Sequence, residues 1–121
     1  MSVERLLGLR LEACRFSRSS LSFEFAGRIG GEERDFWVST SDAITADRTA
    51  TPDALGDLTS IIAPFLEKTL ARVVLDDSDE SRRARFEFDD GTSFAIWRNE
   101  VAAGELLIIS SVHTDEWFTL L

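Results

Sequence analysis

The chain has 121 residues, a formal net charge of −9 and a pI near 4.5, with one cysteine and one histidine. A chain of this length buries roughly two-thirds of its unfolded surface, enough for a single domain over residues 1–121 without metal or disulfide. The single cysteine excludes an internal disulfide and fits a reducing compartment, the cytoplasm, and the acidity argues against nucleic acid and anionic membranes, which need a basic face.

From the N-terminus, Ser2 can cap a single helical turn over residues 3–7 that Gly8 ends. The apolar run there is short and flanked by Glu4, Arg5 and Arg10, so it reads as neither a signal peptide nor a span. Residues 9–16 mix apolar and polar positions as a partly covered strand does. Residues 20–25 alternate cleanly, with Leu21, Phe23 and Phe25 on one face and Ser20, Ser22 and Glu24 on the other. Gly27, Gly30 and Gly31 then make a loose turn into a strand over residues 35–41, in which Phe36, Val38 and Thr40 share a face.

Thr51, Pro52 and Asp53 form a helix start: a cap, a proline at the first helical position and an acid at the positive end of the dipole. Leu55, Leu58, Ile61, Ile62, Phe65 and Leu66 recur at helical spacing as one apolar stripe, which Pro64 should end or kink near Ile62 or Ala63. Residues 70–75 read as a strand that runs into an acidic loop of Asp76, Asp77, Asp79 and Glu80.

Residues 83–97 are the clearest element, a β-hairpin. A two-residue loop at Asp90 and Gly91 would put Phe94 and Ile96 on the opposite face from Phe86 and Phe88. A three-residue loop of Asp89, Asp90 and Gly91, with Gly91 left-handed, pairs Phe86 with Phe94 and Ala84 with Ile96 and keeps one apolar face. The apolar run at residues 106–109 suits a strand placed centrally in a sheet, and the segment ending at Leu121 suits an edge strand. The stretch LSFEFAG at residues 21–27 echoes ARFEFDDG at residues 84–91. An internal β-repeat is one reading, and the commonness of alternating phenylalanines in β-rich chains is the other.

Little in the chain points to chemistry. Cys14 sits among apolar neighbours as a structural thiol does, and His113 lies at a strand end. The acids at residues 76–80 lack the spacing of a calcium loop, no ligand set reaches three residues at fixed spacing, and no phosphate-binding glycine loop is present. No cofactor is expected and the chain reads as a non-enzyme. Trp97, opposite Arg83 in the three-residue-loop register, and Trp37, between Asp35 and Ser39, both fall on polar strand faces. Such a tryptophan is either packed under arginine stems or a loop, or presented as a binding anchor.

The hairpin sequence FEFDDGTSFAIW and the C-terminal EWFTLL resemble the small acidic α+β proteins that serve as immunity proteins of bacterial polymorphic toxins. The resemblance implies a protein-binding module that neutralises a cognate toxin by direct binding, and many toxins of such systems are basic nucleases or deaminases. The expected fold is α+β: an antiparallel, strongly bent sheet of about six to eight strands with one main amphipathic helix on its apolar face. The expected partner surface is an arginine and tryptophan centre with an acidic rim, made of Trp97, Trp37, Arg83, Arg85, Glu87, Asp76, Asp77, Asp79, Glu80, Asp89 and Asp90. The alternative is a small-ligand binder with a pocket between helix and sheet.

Overall fold

The computed structural model describes residues 3–16, 20–41, 45–46, 62–77, 82–98, 107–112 and 117–119. Among these, nine strands form two antiparallel sheets. One has five strands in the order β1 (Arg10–Phe16), β2 (Ser20–Ile29), β3 (Glu32–Ser41), β8 (Leu107–Ser111) and β9 (Trp117–Thr119). The other has four, in the order β4 (Thr45–Ala46), β7 (Ser93–Arg98), β6 (Arg82–Phe88) and β5 (Leu70–Asp77). The buried residues of both sheets join one core, which centres on phenylalanine rings. Phe23 of one sheet meets Phe86 and Phe94 of the other edge-on, with centroids 5.2 and 5.8 Å apart, the geometry favoured by ring quadrupoles.

This corrects the expected α+β class. The described residues are nearly all β, and no helix among them reaches seven residues, so none of these covers an apolar sheet face. The expected helix falls largely on residues 51–61, outside the described ones. Its C-terminal part is a 3-10 turn, Ala63–Phe65, and the stripe does not continue through it: Ile62 is fully buried, but Leu66 is 39% exposed. The chain must leave this turn through Glu67, which is held at φ 72, a left-handed conformation that no helix continues through.

The two halves of the chain are built alike. In the first, a 3-10 turn (Val3–Leu6) leads through left-handed Gly8 (φ 89) into β1, which bulges between Leu11 and Ala13 before the β1-β2-β3 meander. In the second, the turn Ala63–Phe65 leads through Glu67 into β5, which bulges between Leu70 and Arg72 before the β5-β6-β7 meander. The hydrogen bonds that join the halves obey an approximate two-fold. Gly8 N–H donates to Leu70 O (2.8 Å) and Glu67 N–H to Leu11 O (2.7 Å); Leu70 N–H donates to Leu9 O (2.8 Å) and Leu11 N–H to Lys68 O (3.0 Å). Exchanging Gly8 with Glu67, Leu9 with Lys68 and Leu11 with Leu70 turns each bond into its counterpart, and the bridge between Arg10 and Thr69 lies on the axis. The echo between the two FEF stretches is therefore structural: Phe23 and Phe86 pair with Cys14 and Val73, each three residues beyond the leucine at the bulge, Leu11 or Leu70.

The halves also exchange strands. β4 follows β3 in sequence but pairs with β7, while β8 follows β7 and pairs with β3. A sheet edge offers unpaired N–H and C=O groups, and here each meander's third strand is covered by a strand from the other half. The segment at residues 107–111 thus lies inside its sheet and β9 at the edge, as the sequence suggested. What the sequence presented as one strongly bent sheet is two sheets, joined where residues 8–11 bond residues 67–70.

The anchor hairpin forms as expected. Phe86 faces Phe94, Ala84 faces Ile96, Gly91 has φ 86, and Phe88 N–H bonds Thr92 O at 2.8 Å. The β2-β3 hairpin is tighter than expected, because the strands run on to Ile29 and Glu32 and leave only Gly30 and Gly31 between them, at φ 59 and 82. Two positive φ values in a two-residue loop are the turn that suits the right-handed twist of its strands.

Candidate functional site

The expected partner surface divides between two sheets. Arg83, Arg85 and Glu87 alternate along β6 with Ala84, Phe86 and Phe88, whose side chains are buried in the core, so they occupy the outward phase of the four-stranded sheet. Trp97 stands opposite Arg83 and Thr45 in the register. Trp37 belongs to β3 of the other sheet, and the structure does not bring it to this surface.

The acidic rim is also more occupied than expected. Asp76 and Asp77 are not in a loop; β5 continues through them, opposite Arg83 and Arg82. Opposite charges facing across a ladder favour that extension. Asp79 and Glu80 lie outside the described residues. At the hairpin tip Asp89 is exposed, whereas Asp90 is engaged within the chain. Its Oδ1 accepts from the Thr92 hydroxyl and from Thr92 N–H (3.0 Å), and its Oδ2 meets Lys68 Nζ at 2.9 Å. The hydrogen bond from the Thr92 hydroxyl and the bond and charge of Lys68 hold the Asp90 carboxyl well below the usual carboxylate range. Lys68 also donates to Thr92 Oγ1 (2.9 Å) and lies 4.9 Å from the Phe65 ring centroid.

On the five-stranded sheet the register aligns a row across all strands: Ala13, Glu24, Trp37, Ser110 and Trp117. Adjacent rows on the same face hold Ala26 with Asp35, and Arg15 with Ser22 and Ser39. The backbone positions of Trp37 and Trp117 lie two strands apart, about 10 Å, with small Ser110 between them. Trp37 is half-buried, and the Arg15 guanidinium stands 4.8 Å from its ring centroid. That contact is a cation–π interaction and realises the packed alternative for this tryptophan. Ser22 and Ser39 hydroxyls meet at 3.1 Å.

At the centre of this face Glu24 and Asp35 stand on adjacent strands. Asp35 Oδ1 is shielded from solvent and finds no other donor, and Glu24 is hydrogen-bonded to Asp35. Two carboxylates can bond only if one keeps a proton. That bond, followed by burial and the charges of Asp35 and Glu12, raises Glu24 to about 7 against the opposing pull of Arg15. Glu12 itself pairs with Arg10 at 3.0 Å. Among the described residues neither Glu24 nor Asp35 forms an ion pair.

Sequence reasoning missed Glu24, Asp35 and Arg15 as a group. The available signal was the Gly30-Gly31 dipeptide: a two-residue loop there fixes Glu24 opposite Trp37.

Burial pushes the Cys14 thiol up to about 11, against the effect of a backbone hydrogen bond from Arg15, so it is not a thiolate at neutral pH. His113 lies outside the described residues. Among the described residues no group of three or more His, Cys, Asp and Glu side chains could hold a metal, and no helix is long and apolar enough to cross a membrane. Comparison with protein-family models, with curated proteins and with solved structures finds no match.

Proposed function

We propose that the chain is a non-enzymatic protein-binding module of the cytoplasm, and that it neutralises a basic bacterial toxin by direct binding, as immunity proteins do. The observation that carries this reading is the combination of a formal charge of −9 with outward strand faces that hold tryptophan and arginine. Aromatic and arginine side chains supply most of the energy of protein interfaces, and surplus charge of one sign steers a partner of the other. The ligand-binding alternative placed its pocket against the phenylalanine-rich sheet. The described rings of that sheet pack on one another, Phe86 with Phe94 at 5.2 Å and Phe88 with Phe94 at 5.9 Å, and no observation favours a pocket there.

The test is titration of the purified protein with the product of a toxin gene adjacent to its own. A complex that weakens with added salt supports the reading, and neutralising Asp76, Asp77, Asp79 and Glu80 together should slow association while leaving dissociation nearly unchanged. Absence of any complex at low salt overturns it.

A further inference from the structure

We infer that the outward face of the five-stranded sheet, centred on Glu24, Asp35 and Trp37, is a docking surface for an arginine side chain of a partner protein. This rests on the protein-binding reading and assigns it a surface and a ligand chemistry.

The argument comes from the molecule's own two-fold. Glu24 in β2 and Glu87 in β6 are equivalent positions, each one residue beyond the phenylalanine (Phe23, Phe86) that pairs with Cys14 or Val73. Each glutamate stands opposite the residue that follows the bulge: Arg72 for Glu87, Ala13 for Glu24. In the second half Arg72 Nε lies 3.7 Å from Glu87 Oε2. In the first half that arginine is replaced by a methyl group, and the glutamate turns instead to Asp35. The second half thus places a guanidinium beside its glutamate, whereas in the first half the arginine that acts on Glu24, Arg15, is turned onto the Trp37 ring.

The described residues around Glu24 suit such a guest. Glu24 is faced by Glu12, Ala13 and Arg15 from β1 and by Asp35 and Trp37 from β3. Arg15 is turned onto the Trp37 ring at 4.8 Å, which shows that the ring accepts a guanidinium. A guanidinium bridging two adjacent carboxylates makes charge-assisted hydrogen bonds to both and takes the place of the shared proton. Among the described residues, the neighbouring positions Ala13, Ala26, Ser22 and Ser110 carry small side chains. Docking must then release the proton that Glu24 holds, because the bound cation favours the charged form.

The probe is the peptide acetyl-Gly-Arg-Gly-amide, with its citrulline analogue as the uncharged control, followed by amide and indole shifts of the whole protein. Binding should perturb Glu24, Asp35 and the Trp37 indole, and citrulline should abolish it. With Glu24 titrating at about 7, affinity should rise about tenfold between about pH 6 and about pH 8. Glu24→Gln should remove both the binding and the pH dependence. Ala13→Arg, which installs the second half's arrangement, should block the peptide and lower the Glu24 titration midpoint while the remaining spectrum stays folded. Shifts that map elsewhere, persist with citrulline or survive Glu24→Gln overturn the inference, as does no binding at either pH. The peptide needs no toxin, so a toxin complex that forms while the peptide fails rejects this surface and leaves the protein-binding reading in place.

Discussion

The first half of the chain, from Val3 through β3, and the second, from Ile62 through β7, follow the same path of turn, bulged strand and meander with different residues. Where they agree is the interior: Leu11 and Leu70 begin the strand at the bulge, and Phe23 and Phe86, Phe25 and Phe88 fill equivalent core positions. Where they differ is the surface and the turns. Gly8 stands where the second half has Glu67, Ala13 where it has Arg72, Arg15 where it has Val74. Packing restricts a buried position to a few shapes, whereas an outward position can diverge at little cost to stability, so the differences between halves mark where selection for something other than folding has had room to act.

The largest expected effect tests whether the halves share one core. Phe86→Ala removes a ring stacked on Phe94 at 5.2 Å and on Phe25 at 5.9 Å and should cost about 3–5 kcal/mol. Phe23→Ala, its counterpart, should cost the same within about 1 kcal/mol. Urea denaturation measures both, and each should lower the melting temperature by more than about 10 °C. A core in which one half dominates would show a large loss for one variant and a small one for the other.

Next come the left-handed residues. Gly8→Ala would place a Cβ 2.9 Å from Ile29 Cδ1 at φ +89, and should destabilise by about 1–2 kcal/mol. Glu67→Gly relieves the same conformation at φ 72; after the entropy that glycine adds to the unfolded chain, it should stabilise by about 0.5 kcal/mol. Opposite signs at equivalent positions are the expected outcome, and a loss at both would mean that the Glu67 side chain makes a contact that outweighs its backbone strain.

These comparisons also explain what could be read from the chain alone. The 83–97 hairpin was legible because the Asp-Gly turn and the Phe periodicity allow only one register with a common apolar face. The tail strand and the interior apolar strand followed from their composition. The apolar stripe misled at its C-terminal end because Ile62 is a core residue and Phe65 packs against the core from the 3-10 turn Ala63–Phe65, the counterpart of Val3–Leu6, where periodicity alone cannot tell a turn from a helix. The candidate site was missed for a different reason. A carboxylate pair across two strands is invisible until the register is known, and reading Gly30 and Gly31 as a loose turn left that register unset.

The pH dependence of stability separates two acids. Glu24 in the folded protein is raised to about 7 from an ordinary 4.5, so between these values the folded state holds a proton that the unfolded state has lost, and stability falls as pH rises through that window. Glu24→Gln should flatten this slope. Asp90 is depressed, so its contribution is present above the ordinary carboxylate range and is lost as pH falls below it. Asp90→Asn should flatten only the acid limb. Denaturant midpoints measured across the pH range for the two variants test this, and a slope near neutral pH that survives Glu24→Gln would remove the shared proton from the account.

The smallest effect is the most pointed test of the two-fold itself. Arg72 is 69% exposed and its Nε stands 3.7 Å from Glu87 Oε2, so the pair is screened by solvent and Arg72→Ala should cost no more than about 0.5 kcal/mol. Ala13→Arg should likewise leave stability within about 0.5 kcal/mol, because the second half already accommodates an arginine at that point beyond the bulge. The double variant moves the arginine from one half to the other and should equal the sum of the singles, since the two positions share no ion-pair partner. A loss well beyond that sum, or an Ala13→Arg variant that unfolds, would mean that Ala13 and Arg72 are not equivalent and that a guanidinium has no room over Glu24. An unchanged stability with altered surface charge would place the difference between the halves in recognition rather than in folding.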